Sequence, residues 1–126
     1  MTGLSDKSGG IAHGLNAYID RTDGSTADSL GKAMTEVAEW IRSSAGCFLG
    51  HVKMAVTTGT GTVTLNLTDL GTGVEHHGSI PDGVRADIRF MAAVLDADRN
   101  ELAERMNNAL LSNGFKMKKS GIIELR

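Results

Sequence analysis

The chain has 126 residues, a length that fits one domain built around a single core. Thirteen Lys and Arg stand against fifteen Asp and Glu, and a net charge of -2 supplies no general field for gathering phosphates, which argues against nucleic acid or an anionic membrane as the main partner. Cys47 is alone, so no internal disulfide forms; the opening MTGLSDKSGG lacks the apolar core of a secretory leader, no apolar run approaches the ~20 residues that cross a bilayer, and a soluble cytoplasmic protein is expected.

Residues 1–24 are rich in Gly, Ser and Asp, with Ile11, Leu15, Tyr18 and Ile19 at helical spacing. The expectation is a flexible N-terminal segment holding a helical turn or two, followed by one α+β domain over residues 25–126. Ser25 and Asp28 have the spacing of a capping box, and Leu30, Met34, Val37 and Ile41 then recur every three or four positions, which predicts a helix over residues 26–45. Ala33 and Trp40 widen its apolar stripe, and Gly46 stands where a left-handed terminator is wanted.

Residues 46–68 write out a hairpin. Phe48, Val52, Met54 and Val56 fall to one side and Cys47, Leu49, His51, Lys53 and Ala55 to the other; beyond the turn at residues 57–61 the alternation resumes with Val63, Leu65 and Leu67 against Thr62, Thr64, Asn66 and Thr68. Residues 69–73 read as a turn and residues 74–79 as a short strand before the break at Ile80-Pro81-Asp82-Gly83. Residues 86–95 alternate again, with Ile88, Phe90, Ala92 and Val94 opposed to Asp87, Arg89, Met91 and Ala93. Asp98 and Glu101 open a second helix carrying Leu102, Met106, Ala109 and Leu110, closed by Asn113-Gly114, and residues 115–125 read as a final edge strand or loose hairpin.

Strands joined by short turns pair antiparallel, and two helices with one apolar stripe each cover one side of the sheet. The predicted fold is a two-layer sandwich: an antiparallel sheet of about four strands with two helices on one face. The uncovered face then carries Leu49, His51, Lys53, Asn66, Arg89 and Met91, a mixture suited to meeting a partner.

Chemistry is sparse. Neither Gly59-Thr60-Gly61 nor Gly71-Thr72-Gly73 leads from a strand into a helix, so neither is a phosphate loop. Metal ligation has candidates in His51, His76 and His77, whose imidazoles suit a divalent transition metal if their strands pair, although adjacent His76 and His77 in a strand point apart. Cys47 and His51 lie ~13 Å apart along one strand, too far for a nucleophilic dyad. The carboxylates Asp69, Glu75, Asp82 and Asp87 sit in or beside polar turns with no evident acid–base pairing.

The run Ala45-Gly46-Cys47-Phe48-Leu49-Gly50-His51-Val52-Lys53, the hairpin after it, Gly78-Ser79-Ile80-Pro81, the strand over residues 86–95 and the helix over residues 100–111 resemble the small C-terminal module of CobW-type metal-chaperone GTPases. That resemblance, spanning residues 25–112, implies an accessory domain that helps such GTPases engage metal or a client protein. The GTPase domain, its phosphate loop and its cysteine-rich metal motif have no counterpart here, so GTP hydrolysis does not carry over. The leading expectation is a non-catalytic accessory or binding module linked to metal or metal-cofactor trafficking, working through the polar sheet face and the segment Glu75-His76-His77. The alternative is a self-associating domain in which Leu49, Met91 and Ala93 are buried in a homodimer. A small enzyme at the open face has the least support, because no nucleophile, base and orienting group converge.

Overall fold

In the computed structural model, which describes residues 10–46, 48, 50–95 and 97–118, the elements follow the order β1 (Ile11–Ile19), α1 (Thr26–Ala45), β2 (Gly50–Thr58), β3 (Gly61–Leu67), β4 (Glu75–His77), β5 (Ala86–Val94), α2 (Arg99–Ser112) and β6 (Lys116–Met117). Every pairing is antiparallel, and the strands lie in the spatial order β4-β3-β2-β5-β1-β6. The α+β architecture with two helices and an open antiparallel sheet is as expected. The number of strands is not: the described residues form six, where about four were expected.

Most of the difference lies in β1. Residues 11–19, expected as part of a flexible segment with helical turns, form an inner strand paired along its whole length with β5 and at one end with β6. Ile11, His13, Leu15, Ala17 and Ile19 face the helices, each opposite a core residue of β5 from Val94 to Ala86. The folded unit therefore begins well before residue 25. Residues 1–9 lie outside the described residues, as do residues 119–126, so of the expected terminal strand only Lys116–Met117 is described.

Because β1 and β2 are both antiparallel to β5, α1 carries the chain across β5, and α2 likewise carries it from β5 across β1 to β6. These are two interlocked split βαβ units, the ferredoxin-like arrangement, extended beyond β2 by β3 and β4. Leu30, Met34, Val37 and Ile41 of α1 and Leu102, Met106 and Leu110 of α2 meet Met54, Leu65, Leu67, Ile88 and Phe90 from the sheet in one buried core. The loops close this layer: Thr22, itself buried, donates from Oγ1 to the Pro81 carbonyl at 2.5 Å and from its amide to Val84 at 2.7 Å.

The helix ends differ. Asp98 caps α2 by accepting from the Glu101 amide at 2.9 Å. Ser25 does not cap α1 with its side chain, since its own backbone is already helical, and the expected capping box is absent. Asp23 takes over the local bonding, accepting from the Ser25 amide at 2.8 Å and from its hydroxyl at 2.7 Å.

Candidate functional site: the open face of the sheet

Each strand that buries alternate residues under the helices presents the rest on the opposite side. The register sets these residues in rows. Gly14, Met91, Lys53, Asn66 and Glu75 cross the sheet in line, flanked by a row of Asn16, Arg89, Ala55, Thr64 and His77 and, on the other side, by Ala12, Ala93 and His51. Lys53, Asn66, Arg89 and Met91 thus share one face, as expected. Leu49, assigned to the same face, lies outside the described residues, as does Cys47.

A depression of about 470 Å³ occupies the middle of this face. Its floor is small or flexible, made of Ala12, Gly14, Met91 and Ala93, and Lys53, His51 and Arg89 rim it. The hollow exists because β1 contributes Ala12 and Gly14 where bulky side chains would otherwise stand beside Met91. Lys53 and Met91 are half-buried, and Arg89 and His51 are exposed. Among the described residues neither Lys53 nor Arg89 forms an ion pair. His51 Nε2 donates to Asn66 Oδ1 at 3.1 Å, which fixes the ring against β3.

A second hollow of about 240 Å³ continues past Arg89, lined by Asn16, Ala55, Thr57, Asp87 and Lys118. Here the charges are matched. Lys118 Nζ lies 3.0 Å from Asp87 and Arg85 3.3 Å from the same oxygen, while Lys116 reaches Asp20 at 2.8 Å. The hydrogen bond from Lys118 holds the Asp87 carboxyl below the usual carboxylate range, Lys116 does the same for Asp20, and the Lys116 ammonium is raised in return. Arg85 also lies 4.3 Å from the centre of the Tyr18 ring. The cations at this end are occupied, which sets Lys53 and Arg89 apart.

The three histidines expected to gather around a metal are not brought together. His77 pairs with Thr64 on the open face, whereas His76 pairs with the core residue Leu65 and so points to the opposite side. His51 shares the face of His77 but stands two strands away and two rows along, a separation of roughly 16 Å from strand spacing and rise. Among the described residues no group of three His, Cys, Asp or Glu is placed to hold a metal ion.

Sequence reasoning missed Gly14 and Ala12, which shape the depression. The signal was a weak one, Ile11, Leu15, Ala17 and Ile19 at even spacing with His13 interrupting them. No helix among the described residues is long and apolar enough to cross a membrane. No family model matches the chain, and no curated protein or solved structure matches it.

Proposed function

We propose that the protein is a non-catalytic binding module whose working surface is the open face of the sheet. The observation that carries this reading is a pair of cations without ion-pair partners among the described residues, Lys53 and Arg89, set around a depression of about 470 Å³ with an apolar floor. Concave sites of ~300–1,000 Å³ with a few polar groups over an apolar lining are the usual form of ligand pockets. The described lining offers no carboxylate, hydroxyl or thiol beside His51, so the groups present favour holding a ligand over transforming it. The likeness of residues 45–53 to CobW-type modules fits an accessory role beside a client protein. The dispersed histidines move the weight of that role from a shared metal ion to the depression.

Self-association through the same face, burying Leu49, Met91 and Ala93, is the other expectation. A face-to-face pairing of two copies would gather four cations, Lys53 and Arg89 of each, in one interface, and that accumulation of like charge favours an external ligand as occupant.

A thermal-shift screen of a metabolite collection tests the reading with three proteins: the wild type, the Lys53→Gln/Arg89→Gln double variant, and Lys32→Gln on the exposed side of α1. Compounds that stabilise the wild type are expected to lose their effect in the double variant and to keep it in Lys32→Gln. Stabilisation that survives in the double variant, or no stabilising compound at all, overturns the reading.

A further inference from the structure

We propose that the depression takes a small organic anion, a carboxylate or phosphate carried on a compact apolar body, with the anionic group between Lys53 and Arg89 and the body over Met91 and Gly14. This rests on the open face being the working surface. Lys53 lies directly opposite Met91, and Arg89 is two residues along β5 on the same face. Diagonal neighbours of this kind have Cα atoms ~7–8 Å apart, within reach of two long side chains closing on one anion. Lys53 lines the depression and lacks an acidic partner among the described residues, so its ammonium stands there without a counter-charge. An anion supplies that charge, and Arg89 adds a planar fork that fits carboxylate and phosphate oxygens.

The rest of the ligand is read from the floor. A side chain built at Gly14 has its first carbon 3.8 Å from Met91 Cγ and 3.9 Å from the Arg89 guanidinium. The space that Gly14 leaves is a slot flanked on the β5 side by the Met91 side chain and the Arg89 guanidinium. A naked inorganic ion leaves the slot and the Met91 surface unused, whereas a ring or short hydrocarbon covers them. Met91 suits this role because its unbranched thioether adapts to what lies on it.

The test is a titration of the full chain, followed by amide resonances, with phenyl phosphate, phenylacetate, benzyl alcohol and inorganic phosphate. Saturable shifts at Gly14 and Met91 are expected with either or both of the first two, and which of them binds identifies the anionic group. Inorganic phosphate is expected to bind at least about tenfold more weakly and benzyl alcohol not to bind. Lys53→Met and Arg89→Gln should each weaken binding about tenfold. Gly14→Leu fills this space while leaving both cationic residues in place, and should abolish binding in a protein that melts no lower than the wild type. No saturable shift with either organic anion, equal binding of benzyl alcohol, or undiminished binding to Gly14→Leu overturns the proposal. Should the organic anions fail while Lys53→Gln/Arg89→Gln still cancels stabilisation by compounds of another class, the ligand class falls and the open-face reading survives. Should that double variant change nothing either, both fall.

Discussion

Arg99 and His13 meet at the first turn of α2, where the guanidinium donates to the Ala12 carbonyl at 3.1 Å and burial first, the Arg99 charge second, holds the His13 imidazole below its ordinary value. Its Nε2 is buried without a hydrogen-bond partner among the described residues. The folded chain thus resists protonation at His13. Above the ordinary value of 6.5 both folded and unfolded chains carry a neutral ring. As pH falls below that value the unfolded chain takes up a proton that the folded chain declines, and stability drops by at most about 1.4 kcal/mol per pH unit until the folded value is reached. His13→Leu should remove this dependence and, by deleting an unpaired buried nitrogen, raise stability near neutral pH by about 1 kcal/mol. Urea unfolding of both proteins across the weakly acidic range measures it; parallel pH curves would show that His13 plays no part.

The carboxylates at the β6 end should behave in the opposite sense to a histidine that gains a partner. Asp20 and Asp87 have folded values pushed below the ordinary carboxylate value, chiefly by hydrogen bonds from Lys116 and Lys118, so their support is present above that ordinary value and is lost as pH falls through the folded one. All four side chains are well exposed, so global stability should change little and should change less in high salt. The local readout is sharper. The Lys118 amide donates to the Asn16 carbonyl at 3.0 Å and holds β6 against β1. In an Asp20→Asn/Asp87→Asn variant this amide should exchange with solvent severalfold faster, while the amides of β5 stay protected. Unchanged exchange at Lys118 would mean that the ion pairs do not hold the strand.

The two helices, β2, β3 and β5 were legible because their apolar residues keep one period over many positions and end in recognisable stops. Gly46, for instance, terminates α1 with φ of 88°. β1 was not legible as a strand because two of its five core-facing positions are occupied by His13 and Ala17, while Tyr18 lies on the open face next to the core-facing Ile19. Removing the two weak markers and adding the misplaced aromatic leaves Ile11, Leu15, Tyr18 and Ile19, a set that imitates a helix. The site was legible to the same extent. Lys53, Arg89 and Met91 follow from local alternation, but the slot at Gly14 depends on β1 pairing with β5 some seventy residues away, and nothing local announces that pairing.

The caps give a prediction in which the two helices part company. Asp98 accepts from the Glu101 amide in extended backbone geometry, so Asp98→Ala should cost about 1 kcal/mol. Ser25 makes no side-chain cap, and Ser25→Ala should cost well under half of that. Thr26 is the residue to watch at this end. It is buried, and its hydroxyl accepts from the Asp23 amide at 2.9 Å, so Thr26→Val should be the more damaging change, at about 1–2 kcal/mol. Chemical denaturation ranks the three. Equal losses for Ser25→Ala and Asp98→Ala would restore the capping box to α1.

Two glycines on neighbouring stretches of the sheet should respond to the same substitution with opposite signs. At Gly50 an added Cβ would stand 2.5 Å from the Ala93 carbonyl oxygen and 2.9 Å from Val94 Cα, both backbone atoms of the adjoining strand. Neither can move without opening the β2–β5 pairing, so Gly50→Ala should destabilise by about 2–3 kcal/mol. At Gly14 the nearest atoms are 3.8–3.9 Å away, an ordinary contact, and an open slot lies beyond them. A glycine inside a strand costs about 0.5–1 kcal/mol through the freedom it gives the unfolded chain, and Gly14→Ala should recover that amount. Unfolding curves for the two variants decide the matter. A gain at Gly14 would mean that the fold does not require the missing side chain there, so a binding role for the slot can be tested without disturbing the scaffold. A loss comparable to that at Gly50 would instead make Gly14 a packing residue and remove the slot as a designed feature of the open face.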